Sequence, residues 1–153
     1  MIPHMIAPGE TIGILGGGQL GRMLAMAAAQ LGYRAHVYAP EADSIAAEVC
    51  GGFTCAGWYD AEALAKFARD CAVITYEFEN VPVAPLVALG DARVLPNLHA
   101  LEIAQDRLAE KRCAESLGGG AGGLCRSRFA SRSRRGDREN RRAGHPENPP
   151  RRL

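Results

Sequence analysis

Thr11-Ile12-Gly13-Ile14-Leu15-Gly16-Gly17-Gly18-Gln19-Leu20-Gly21-Arg22 is the stretch that decides the fold. A short apolar run, Thr11 to Leu15, passes through glycines into an Ala/Met/Leu-rich helical segment. A strand that turns through glycine into a helix aims several backbone N–H groups at one point, where the helix dipole adds partial positive charge. Such a point suits a phosphate. Gly16, Gly18 and Gly21 also satisfy the G-x-G-x-x-G spacing of dinucleotide sites, a weak match when it stands alone. Close strand–helix packing without any ligand is the bland reading of the same glycines. A dinucleotide site would want an acid ending the second strand. Glu41 and Asp43 lie near that place but follow Pro40 in a loop, which weakens the dinucleotide reading.

Outward from the turn, residues 11–118 alternate strand-like and helix-like patterns. Gln19–Leu31 reads as a helix ended by Gly32, and Tyr33–Tyr38 as a second strand. Phe53–Ala56 fits a short third strand. Asp60 caps a helix over Ala61–Asp70 that places Leu64, Phe67 and Ala68 on one face. Ala72–Tyr76 is an apolar fourth strand, suited to burial on both faces. Pro82–Leu89 fits a short helix, Arg93–Leu95 a fifth strand, and Leu98–Leu117 a helical stretch with a restart at Asp106. This order predicts an α/β fold, a Rossmann-like parallel sheet with helices on both sides.

Sheets of this kind bind ligands beyond the carboxyl ends of their strands. The glycine turn and the segment Tyr76-Glu77-Phe78-Glu79-Asn80 therefore belong on one edge. Alternation would put Glu77 and Glu79 on one side of an extended chain, where carboxylates can accept hydrogen bonds from sugar hydroxyls. Solvated loop carboxylates are the plain alternative. Arg107 and Lys111, four apart on a helix, read either as a solvated face or as a cationic contact to a nucleotide phosphate. His36 reads as a packed strand histidine, and His4, His99 and the cysteines form no constellation.

The 153 residues allow one core-forming domain with an appendage, and 47% hydrophobic content is ample for a core. No apolar run reaches the ~20 residues of a spanning helix, and Met1–Glu10 has no secretory pattern. Five cysteines without C-x-x-C spacing favour reduced thiols in a cytoplasmic protein. The net charge of +1 conceals an asymmetry: residues 1–118 carry 8 basic and 14 acidic side chains, residues 119–153 carry 10 Arg and 3 acids. The latter segment has no Val, Ile, Met, Trp or Tyr. It is expected to be a disordered basic tail.

Three motifs in order extend the reading: Thr11–Leu24, Val73-Ile-Thr-Tyr-Glu-Phe-Glu-Asn80 and Gln105-Asp-Arg-Leu-Ala-Glu-Lys111. Together they strongly resemble the N5-carboxyaminoimidazole ribonucleotide synthetases, ATP-grasp enzymes of purine biosynthesis. The resemblance makes 11–118 the pre-ATP-grasp domain, after an N-terminal extension over 1–10. It implies that Gly18, Gln19 and Leu20 hold 5-aminoimidazole ribonucleotide and that Glu77 takes its ribose hydroxyls. It further implies that Arg107 contacts ATP phosphates from the edge of the next domain. The family couples ATP, with Mg²⁺, and bicarbonate to carboxylate the ribonucleotide's amine, and acts as a homodimer in the cytoplasm. The ATP-grasp and C-terminal domains, with the Mg²⁺ carboxylates, are absent from these 153 residues. The chain alone is therefore expected to be inactive, with its docking surface exposed.

After Gly118 the family pattern stops. Taken literally, residues 119–153 are a basic arm for nonspecific nucleic-acid contact, although a single aromatic, Phe129, gives little base stacking. The other reading is a frameshift. Codons can be chosen for Ala143–Leu153 that, displaced by one nucleotide, spell Pro-Ala-Ile-Leu-Lys-Thr-Arg-Arg-Gly-Gly. That peptide resembles the family's segment around its ATP-binding lysine. A specific nucleic-acid partner is not expected, nor is a membrane. A stand-alone nucleotide-binding module would instead show saturable binding lost on Gly18→Val or Gln19→Ala.

Overall fold

The computed structural model describes residues 5–77 and 79–119. The expected disorder of the tail, apart from Gly119, and the orientation of Phe78 lie outside the described residues. Strands β1 (Thr11–Leu15), β2 (Arg34–Ala39), β3 (Gly52–Cys55) and β4 (Val73–Tyr76) form one parallel sheet in the order β3-β2-β1-β4. Helix α1 (Gln19–Gln30) follows β1, and α2 (Ala61–Arg69) joins β3 to β4. A 3₁₀ turn over Ala84–Leu89 precedes α3 (Leu98–Gln105) and α4 (Arg107–Ser116).

Alternation along the strands sends successive side chains to opposite faces. Ile14 and Val37 join Ala25 of α1, Ala35 and Ala46 in one buried cluster. Their neighbours Leu15 and Tyr38 face the other way, packing with Leu64 and Phe67 of α2, Ile74, and Leu86 and Leu89 of the 3₁₀ turn. Both faces of the sheet are thus covered. α2 buries Leu64, Phe67 and Ala68, the face read from the sequence, and the Asp60 carboxylate accepts from the Ala63 N–H at 2.9 Å. α1 behaves differently. Its buried residues are Gly21, Ala25 and Ala28, while Leu20, Met23, Leu24 and Met26 are exposed. The small residues face inward because a Cβ at position 21 would stand 2.7 Å from the Gly16 carbonyl oxygen.

Two expectations need correction. Arg93–Leu95 forms no fifth strand, only an isolated bridge between Val94 and Ile74. The Ile74 N–H donates to Arg93 O at 2.8 Å and the Leu95 N–H to Ile74 O at 2.9 Å, and the chain then bends at Leu95 and Pro96, so pairing stops there. In consequence β4 is an edge strand, and Ile74 is its single fully buried residue. The helical restart at Asp106 is present: the Asp106 carboxylate accepts from Leu108 N–H at 2.7 Å and Ala109 N–H at 3.2 Å, and so separates α3 from α4.

Candidate functional site

The strand order reverses at β1: β2 lies on one side of it and β4 on the other. A crevice at that switch point lies beyond the carboxyl ends of β1 and β4. The glycine turn leaves β1 there, and Glu77 leaves β4 there, with the Glu77 N–H still donating to Leu15 O at 3.1 Å.

Gly18 is the N-cap of α1 and has no side chain to offer, and the first turn carries no acid of its own. The cap comes from Glu77. Its carboxylate accepts from the Gly18 N–H at 2.9 Å and from the Gly21 N–H at 2.8 Å. An anion of the chain itself therefore occupies part of the helix terminus, where charge-assisted bonds and the dipole both favour it. Gly16 sits at φ +119°, and a Cβ there would overlap Glu77 Cγ. The turn is shaped around Glu77 as much as around any ligand. Among the described residues, the N–H groups of Gln19 and Leu20 have no hydrogen-bond partner, and both residues are exposed.

The loop after β2 closes over the turn. Ser44, 6% exposed, donates its hydroxyl to Gly17 O at 3.0 Å and accepts from the Ala47 N–H at 3.3 Å. The Ala46 N–H reaches the same Gly17 carbonyl at 3.2 Å. Arg22 of α1 donates to Ile45 O at 3.2 Å and pairs with Glu48. These ties create a cavity of about 300 Å³, lined in part by Gly16–Gly18, Glu41, Asp43, Trp58 and Glu77. Trp58 packs on Tyr38, ring centroids 5.6 Å apart, and the Tyr38 hydroxyl donates to Gly57 O at 2.7 Å. Burial, with Asp60 nearby, pushes the Tyr38 phenol up to about 12.

Of the residues singled out from sequence, Gly18 and Glu77 meet in this cavity, and Gln19 and Leu20 stand beside it on the first turn of α1. Arg107 does not join them: it opens α4, exposed and paired with Glu110. β4 ends at Tyr76; Glu77 just beyond it is half-buried, and Glu79 lies exposed in a turn. Glu41 and Asp43, discounted for following Pro40, line the cavity after all. Trp58 and Ser44 carried no motif; their place follows from the sheet topology alone. His36 is a packed histidine, its Nε2 2.8 Å from Thr54 Oγ1 and its ring edge-on to Phe67. Among the described residues no three His, Cys, Asp or Glu side chains gather as metal ligands, and no helix is long and apolar enough to cross a membrane.

Known proteins are similar to this chain in sequence and fold. Residues 9–105 match the family described as the ribonucleotide synthetase preATP-grasp domain. The N5-carboxyaminoimidazole ribonucleotide synthase of Brucella melitensis is 52% identical over 114 residues, covering 74% of this chain and 32% of the relative. An N5-carboxyaminoimidazole ribonucleotide synthetase solved as its ADP complex superposes with a TM-score of 0.71 at 39% identity, over 76% of this chain and 31% of that one. The Aspergillus clavatus synthase, solved with ADP and 5-aminoimidazole ribonucleotide, gives a TM-score of 0.61 at 27% identity, over 72% and 30%. The chain spans about a third of the length of such relatives. It therefore belongs to the ribonucleotide synthetase preATP-grasp family, found in ATP-dependent ligases of the ATP-grasp type.

Proposed function

We propose that this chain is the ribonucleotide-binding part of an N5-carboxyaminoimidazole ribonucleotide synthetase. The observation that carries the reading is the glycine turn at the switch point, half capped by Glu77 and half open at Gln19 and Leu20. The two open N–H groups take the 5′-phosphate of 5-aminoimidazole ribonucleotide, with the helix dipole behind them. Glu77, anchored on the other two, offers its remaining lone pairs to the ribose hydroxyls. Glu41 and Asp43 extend that acceptor wall, and the face of Trp58 supports the sugar or the base.

In the whole enzyme, ATP phosphorylates bicarbonate to carboxyphosphate, and the ribonucleotide amine attacks its carbon with loss of phosphate. Arg107 steadies ATP phosphates at the edge of the following domain. Mg²⁺, when bound with ATP, offsets phosphate charge; the family resemblance assigns its ligands to that following domain. These 153 residues by themselves are proposed to bind without turnover, in the cytoplasm, and the homodimer of the family is part of the proposal. Residues 119–153 are proposed to be a displaced reading frame, which DNA sequence beyond codon 118 would decide.

The test is a titration of the ¹⁵N-labelled chain with 5-aminoimidazole ribonucleotide. Saturable shifts at the Gln19 and Leu20 amides are expected. Gln19→Pro removes one open N–H at a helix position that tolerates proline, after a Gly18 already extended at ψ −167°. It should keep the fold and weaken binding about tenfold. Equal binding by Gln19→Pro, or none by the parent chain, would sink the reading.

A further inference from the structure

Glu77 must arrive at the glycine turn along a definite path, and two anchors fix that path. Upstream, the Glu77 N–H is held on Leu15 O. Downstream, a side chain from a distant helix does the holding. The Gln105 carboxamide, at the last residue of α3, donates to both Glu79 O and Val81 O, each at 2.7 Å. Two carbonyl partners leave no ambiguity over which atom of the amide is nitrogen. One carboxamide thus ties the backbone two and four residues after Glu77, and Val81 is fully buried in the core. The next two residues, Asp106 and Arg107, cap and open α4.

We propose that Gln105 is a positioning residue that holds the 79–81 segment so that the Glu77 carboxylate stays on the Gly18 and Gly21 N–H groups. Its value to ribonucleotide binding rests on the function proposed above; its effect on the glycine turn does not. Helix continuity alone would be served by any good helix former at position 105, whereas this role needs two donors.

Amide hydrogen exchange on the ¹⁵N-labelled 153-residue chain tests it without any ligand. Gln105→Met keeps length and helix propensity but removes both donors, and Gln105→Lys returns donors on a side chain of similar reach. In Gln105→Met the Gly18 and Gly21 amides should exchange about tenfold faster. The Gly51 amide, bonded to Ala35 O, and the Ala72 amide, bonded to Thr11 O, should stay within about twofold of the parent. Gln105→Lys should recover most of the protection. Parent-like exchange in Gln105→Met would overturn the assignment. So would an acceleration spread equally over Gly51 and Ala72, or a Gln105→Lys variant as fast as Gln105→Met. If the parent chain fails to bind ribonucleotide while this exchange pattern holds, the functional reading falls and Gln105 keeps its role. If both hold, Gln105→Met should also bind the ribonucleotide about tenfold more weakly.

Discussion

Replacing Glu77 by Gln tests the link between β4 and α1 with almost no change in shape. The carboxylate accepts from two backbone N–H groups at 2.9 and 2.8 Å. A carboxamide can accept from one of them and must point its NH₂ at the other. The lost bond is charge-assisted but half-buried, so it is worth about 1 kcal/mol. Losing the negative charge at the helix N-terminus removes about 0.5 kcal/mol more. Glu77→Gln should therefore unfold about 1.5 kcal/mol more easily, with Tm lower by ~6 °C. Urea unfolding of both chains, followed by circular dichroism, should show a lower midpoint at unchanged slope. A difference inside about 0.5 kcal/mol, the range of an ordinary surface substitution, would refute the cap.

Other perturbations reach the same turn by different routes. Gly16→Ala forces a Cβ at φ +119° against Glu77 Cγ and should destabilise by about 2 kcal/mol in the same urea assay. Ser44→Ala removes the hydroxyl that joins Gly17 O to the Ala47 N–H; a loss of about 1 kcal/mol is expected, with looser closure of the β2 loop visible in amide exchange. Alkaline pH should also weaken the fold. Burial, then Asp70, pushes the Cys71 thiol from its ordinary 9.0 up to about 12, and burial, then Asp60, pushes the Tyr38 phenol from 10.0 up to about 12. Both hold protons that the unfolded chain would release, so their contribution is full below about pH 9 and is lost as pH rises towards about 12. Urea midpoints between about pH 8 and about pH 11 should fall steadily; a flat profile would contradict the burial of both groups.

The strand–glycine–helix stretch and the alternating Tyr33–Tyr38 run were legible because their patterns are local. So were the Asp60 cap and the face of Leu64 and Phe67, as period and capping chemistry are written in neighbouring residues. Val94 shows where such reading ends. Its apolar flank looked like a strand, but a strand is made by its partner, and the chain bends away at Leu95 and Pro96 after one bridge. α1 hides a second lesson. Its Leu and Met residues would pass for the core face by hydrophobicity, yet the close crossing at Gly21 admits only small side chains there. At the site, Glu77 was readable as a carboxylate at a strand end. Its cap on Gly18 was not, because the two lie 59 positions apart. Glu41, Asp43 and Trp58 share the cavity only because β2, β3 and β1 stand side by side, a relation that no window of sequence contains.

The distant cap also sets an order of events for the growing chain. When β1 and α1 have emerged from the ribosome, α1 begins at a glycine with no acid in its first turn. Its leading amides then have only water to bind, and short helices fray under those conditions. β2 can join β1 next, but the first turn of α1 lacks its cap until Glu77 has been synthesised and β4 has docked along the far edge of β1. Consolidation of the glycine turn thus waits on β4, the last of the described strands, paired with β1, the first. Long-range closures of this kind slow folding. The first helix of the described residues is thus completed by a carboxylate from just beyond their last strand.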